Sequence, residues 1–177
     1  MKLTIKLIFL FLLFSKAGFS QDSLCVHAAD GNAKAKGIKM SVSFPCNWTE
    51  IESRPNDQVL KFIKKDEESK ILTSVSLDIT DLPKGVPPAE AKSFLTPEIL
   101  SDGSGEIVSK RSLTIDKISG SQIIRKDAAN NFYKSFNYFF YKNKLVTIAY
   151  YAVLGADVNV KDYFTLFDSY LSKTKFK

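Results

Sequence analysis

Histidine and cysteine are scarce in this chain, with one His and two Cys among 177 residues. That scarcity excludes a zinc cluster, which takes four such ligands, and it leaves no histidine-based proton relay with any redundancy. The one histidine, His27, lies in the polar N-terminal arm, and it reads as structural. Long apolar runs are also missing apart from Leu7 to Phe14 at the extreme N-terminus. A multi-span membrane protein is therefore not expected, because a helical span needs roughly 20 apolar residues. Glycine (8) and proline (6) are too few for a low-complexity chain, and a content of 45% hydrophobic, 12% aromatic and 25% charged residues is that of one ordinary folded domain.

What is present begins with Lys2 and Lys6, the apolar run, and a small-residue segment from Ser15 to Ser20. These are the three regions of a secretory signal, and Gly18 and Ser20 place its cleavage before Gln21. We therefore expect a signal peptide over residues 1–20, a periplasmic or secreted mature chain, and no membrane span after cleavage. Loss of Lys2, Lys6 and Lys16 lowers 25 basic residues to 22 against 19 acids, so the formal charge drops from +6 to +3. The remaining lysines are scattered, which is not the concentrated basic footprint of a nucleic-acid binder. An even number of cysteines in an exported chain predicts one disulfide, Cys25 to Cys46, tying a polar N-terminal arm to the end of the first strand of the domain.

The arm, residues 21–36, shows no strong period and reads as a loop fixed by the cysteine. Met40, Val42 and Phe44 then alternate with polar neighbours, and Pro45 ends that strand. Val59 to Lys64 and Ile71 to Ile79 follow as strands separated by a charged tip, so the first three strands read as an antiparallel meander. Prolines 87, 88 and 97 mark the starts of two short helices between Ala89 and Leu100. Glu106–Ile115, Ser119–Lys126, Phe132–Tyr141 and Leu145–Leu154 are strands spaced tightly enough to demand hairpins. The last two carry aromatic or aliphatic side chains on both faces, which calls for cover on both faces. Val160, Tyr163, Phe164, Phe167, Tyr170 and Leu171 form one stripe of an amphipathic helix capped by Asn159. The short helices and the arm are expected to cover the opposite face, giving helix, antiparallel sheet, helix.

That order of elements resembles the PsbP-like superfamily. The residues carrying the likeness are Phe44-Pro45-Cys46-Asn47-Trp48, the Pro-rich middle, Ile118-Ser119-Gly120-Ser121, the two aromatic strands and the terminal helix. It covers about Gly37 to Phe176, so residues 37–177 are read as the PsbP-like domain. The resemblance implies an α+β chain, an α/β/α sandwich around a central antiparallel sheet, in the exported, DcrB-like bacterial branch. Members of this superfamily mostly act by binding other proteins, so a protein or envelope component is the implied partner. No position matches a metal or cofactor site.

For chemistry, Asp78 with Asp81, or Asp102 with Glu106, are acids close in sequence that could form a two-carboxylate pair, although acids beside turns usually serve to cap them. Tyr133, Tyr138, Tyr141 and Tyr151 are the candidate surface aromatic site, on strands whose aromatics otherwise read as core. The sequence thus points to an exported, non-enzymatic binding protein. The alternative is a small-ligand carrier or an enzyme with a cleft between the sheet and its covering helices.

Overall fold

The structure, a computed structural model, describes residues 23–177 apart from 53, 56, 68–70, 102, 104, 128, 130–131 and 155–158. The proposed signal lies outside the described residues. Among the described residues ten strands and three α-helices follow in order: β1 (Leu24–Ala28), β2 (Met40–Pro45), β3 (Thr49–Glu50), β4 (Gln58–Lys65), β5 (Ile71–Asp81), α1 (Pro88–Phe94), α2 (Pro97–Leu100), β6 (Glu106–Ile115), β7 (Ile118–Asp127), β8 (Phe132–Tyr141), β9 (Lys144–Val153), α3 (Val160–Leu171) and β10 (Lys175–Phe176). All strand pairs are antiparallel. The chain is α+β.

Seven strands form the main sheet in the order β3-β4-β5-β9-β8-β7-β6. Its hairpins follow from turn chemistry. Asp116 and Lys117 between β6 and β7, and Lys142 and Asn143 between β8 and β9, all have positive φ. Two successive residues in the left-handed region make the two-residue loop whose twist suits a hairpin. Gly120 in β7 is required for another reason: a Cβ there would lie 2.5 Å from the Tyr138 carbonyl oxygen and 2.6 Å from the Phe139 ring.

The meander expected of the first three strands is not formed. β2 leaves the main sheet and makes a second, three-stranded sheet in the order β1-β2-β10. All six residues of β2 are buried, because this small sheet lies over the main one rather than beside it. The arm is likewise not a plain loop. Residues 24–28 pair with β2 from Leu24↔Pro45 to Ala28↔Ser41, and a 3₁₀ turn at Ala33–Ala35 follows. The Cys25–Cys46 disulfide pins this pairing at its outer end.

The arm and α3 cover the same face of the main sheet, not opposite faces. Met40, Val42 and Phe44 from β2 join Phe164, Phe167, Tyr170 and Leu171 from α3 in one cluster with Val75, Leu77, Ile79, Val146, Ile148 and Tyr150. Asn159 caps α3 as expected, accepting from the Lys161 N–H at 3.0 Å. Trp48 closes one end of the cluster, stacked 6.2 Å from Phe44 and set edge-on to Phe167 at 6.2 Å. A polar network fixes the other side of α3. Gln122 donates to Asn137 at 2.8 Å and to Asp168 of α3 at 3.0 Å, while Arg111 donates to Gln122 at 2.8 Å and pairs with Asp168.

The second face of the main sheet is covered only at one end. There Leu82 and Leu100 pack against Ile123, Phe136, Tyr138, Leu145 and Ala149, and Lys92 of α1 stands over the Phe140 ring at 5.6 Å. Arg125, buried in β7, holds this cover down by donating to the Ser101 hydroxyl at 2.8 Å and the Gly105 carbonyl at 3.0 Å. Among the described residues nothing covers the rest of that face.

Candidate binding groove

Side-chain height shapes the open face. On this face β5 presents Ser74, Ser76, Asp78 and Thr80, and β9 presents Leu145, Thr147, Ala149, Tyr151 and Val153. The next strand, β8, presents Phe132, Lys134, Phe136, Tyr138 and Phe140. Cross-strand register therefore sets Ser76 beside Ala149 and Ala149 beside Phe136, and it sets Asp78 beside Thr147 and Thr147 beside Tyr138. Short side chains in the middle and tall aromatic ones along β8 leave a groove of about 730 Å³. Gln58 and Lys61 of β4 close its far bank, and Leu100 of α2 closes one end.

The groove has two unlike walls. On the β8 side the rings support one another: Phe136 and Tyr138 stack at 6.0 Å, Phe132 and Tyr151 stack at 6.0 Å, and Phe136 meets Tyr151 edge-on at 5.9 Å. On the β5 side the groups are hydroxyls around one acid, Asp78. The Ser76 hydroxyl donates to its Oδ2 at 2.6 Å and the Gln58 amide to its Oδ1 at 3.4 Å. Among the described residues Asp78 has no ion-pair partner, although Lys61 is near enough to favour its charge. Burial is the larger influence and raises its pKa above the ordinary 3.8.

A raised carboxyl pKa has a definite sign. The folded protein binds the Asp78 proton more tightly than the unfolded chain does, so ionisation costs stability, and the cost vanishes as pH falls through the raised value. Asp78→Asn is expected to melt above the parent at neutral pH. The difference should shrink as pH falls toward 3.8, the unfolded-chain value. Differential scanning calorimetry across that range checks both parts.

The four tyrosines separate. Tyr138 and Tyr151 line the groove, Tyr138 almost wholly buried at 3% exposure. Tyr133 points to the opposite face and packs edge-on against Phe164 of α3 at 6.0 Å. Tyr141 lies on that opposite face too, 4.9 Å from Phe176, with its hydroxyl donating to the Lys177 carbonyl at 3.1 Å. They do not form one surface site. Asp78 and Asp81 are also parted: Asp78 faces the groove, and Asp81 at the strand end pairs with Lys36 at 3.2 Å and with Lys144. Asp102 lies outside the described residues.

His27 is packed rather than poised for chemistry. Its ring lies 4.2 Å from Phe62, and desolvation lowers its pKa against the opposing pull of Glu50. Among the described residues no three His, Cys, Asp or Glu side chains gather as a metal site requires. No helix among them is long and apolar enough to cross a membrane. Sequence reading passed over Gln58 and Lys61. Lys61 interrupts an apolar strand, Val59-Leu60-Lys61-Phe62-Ile63, and that interruption was the available signal.

No family model matches the chain, and no curated protein matches it by sequence. Solved structures do. The solution structure of cyanobacterial PsbP (CyanoP) from Synechocystis sp. PCC 6803 is similar to it with a TM-score of 0.59 at 14% identity, over 94% of this chain and 99% of that one. The fold is PsbP-like. A mutant of the protein Mog1 is also similar, with a TM-score of 0.47 and 10% identity over 77% of this chain and 89% of that one.

Proposed function

We propose that the chain is an exported, non-enzymatic binding protein of the cell envelope, periplasmic or secreted, in the DcrB-like branch of PsbP-like proteins. It holds its partner, a protein or an envelope component, against the open face of the main sheet. The observation that carries this reading is the groove itself. Its aromatic wall, hydroxyl wall and acid are suited to recognition, and among the described lining residues Asp78 is not accompanied by a second carboxylate or a histidine. The disulfide supports export, since such bonds persist in oxidising compartments. So does the three-part N-terminal segment.

A second reading, a small-ligand carrier, is favoured by one measurement. The groove's volume of about 730 Å³ lies within the range of roughly 300 to 1,000 Å³ usual for small-molecule sites. Ser74 is half-buried in the groove floor, so Ser74→Trp fills the groove without entering the core. Envelope extract passed over immobilised parent protein is expected to yield a component that the Ser74→Trp protein does not retain. Equal retention by both places the contact elsewhere. Nothing above a no-bait control on the parent column refutes the binding reading.

A further inference from the structure

At its polar end the groove presents a carboxylate that accepts from Ser76 and Gln58 but pairs with no cation among the described residues, and one acceptor without a donor. Asp78 there is a carboxylate that is buried for most of its surface and lacks an ion-pair partner among the described residues. Beside it the Gln58 side-chain oxygen is buried with no hydrogen-bond partner, because the amide nitrogen is the atom turned to Asp78. A buried carboxylate without a counter-ion is costly, and the structure leaves the place of that counter-ion empty of protein cations within 4.0 Å. Among the described residues of the lining the other charged one is Lys61, one cross-strand row away, opposite Ser76.

Away from Asp78 the groove's β9 and β8 side is largely apolar, with Lys134 standing beside Tyr151. Ala149 and Phe136 occupy the next row, Tyr151 the one after it, and the far end is rimmed by Leu72, Val153 and Phe132. Leu72 and Val153 are 37% and 48% exposed. Six residues separate Leu72 from Asp78 along β5, a length of about 20 Å at the rise of an extended strand. An anionic, acceptor-rich end and an apolar channel leading from it define an amphipathic cation.

We propose that this groove takes a small organic cation, a primary ammonium on an aliphatic chain, with the ammonium held by Asp78 and the chain laid along Ala149, Phe136 and Tyr151. The proposal rests on the reading of the groove as the binding site and names its ligand class. The ammonium supplies a donor to the Gln58 oxygen, and its charge completes the ion pair that Asp78 otherwise lacks. Lys61 acts as an internal competitor, since its flexible stem lets it move toward the same carboxylate when the groove is empty.

The test uses the full protein, two-dimensional amide NMR, and three probes of equal chain length at neutral pH: hexylammonium, hexanol and hexanoate. Hexylammonium is expected to shift amides along the groove rows around Asp78, Thr147, Ala149 and Tyr151. Asp78→Asn should weaken it by about tenfold or more while the fold, read from the remaining spectrum, is kept. Lys61→Met should tighten it. Equal shifts with hexanol, or binding indifferent to Asp78→Asn, overturn the cation assignment and leave an apolar groove that still binds. Shifts scattered over the surface instead of along the groove overturn it as well. No groove shift with any of the three probes overturns the small-ligand proposal, while a partner retained by the parent and lost in Ser74→Trp would keep the broader binding reading standing.

Discussion

Phe167→Ala is expected to lower stability by about 4 kcal/mol, the largest single-residue loss anticipated in this chain. Phe167 is 3% exposed and is the hub through which α3 grips the core. Its ring lies 4.4 Å from Tyr150, 4.6 Å from Tyr163, 6.1 Å from Phe164 and Tyr170, and 6.2 Å from Trp48. Truncation removes the apolar area and leaves a void among rigid rings that cannot collapse into it. In a chain of this size the melting temperature should fall by on the order of 10 °C or more. Urea denaturation should show a lower midpoint with an unchanged slope. A loss below about 1 kcal/mol would mean that α3 is held by its polar contacts, Asp168 with Arg111 and Gln122, rather than by the aromatic cluster. The groove lies on the other face of the sheet, so this variant should bind as the parent does wherever it is folded.

The second large effect is expected on breaking the disulfide. Cys25→Ser with Cys46→Ser, or reduction of the parent, should cost about 3 kcal/mol, since the bond closes a loop of 21 residues in sequence separation. Beyond chain entropy, the structure gives a local reason. Among the described residues β1 is an edge strand paired with β2 alone, and its outward Val26 is 70% exposed, so few apolar contacts on that side hold it. Hydrogen exchange should therefore rise first in β1, at the amides that β2 pairs, while β5, β8 and β9 stay protected. Intact mass after alkylation without reductant should show neither cysteine labelled. Two labelled thiols would remove the disulfide from the account altogether.

How far the sequence could be read depended on whether a feature is local. The strands at Phe132–Tyr141 and Lys144–Val153 were legible because their period of two is strong and the hairpin residues between them, Lys142 and Asn143, sit where a tight turn must. The terminal helix was legible from its stripe and cap. The pairing of β2 was not. Alternation in Met40, Val42 and Phe44 states that one face is buried, and it is silent on which strand lies alongside. β2 pairs with Lys175 and Phe176 from the far end of the chain, a contact that no local pattern encodes. The groove was hidden for the same reason. Serines 74 and 76 and Ala149 are visibly small, but whether they face cover or water depends on where α3 and β2 settle. Once both settle on one face, the other is left short of cover. The aromatic residues misled in a similar way, since alternation sends Tyr138 and Tyr151 to one side of the sheet and Tyr133 and Tyr141 to the other.

Having β2 flanked by β1 and β10 also dictates the order in which the molecule can be finished. A chain emerging vectorially from a ribosome or a translocation pore could zip β1 onto β2 early, yet the opposite rim of β2 would stay bare until Lys175 and Phe176 had come out. Until then a naked strand border faces the crowd, open to adhesion with other nascent chains. Chaperone dependence during biogenesis should consequently last until Lys175 and Phe176 have paired with β2, and removing residues 175–177 should harm yield more than its small effect on the surface would suggest.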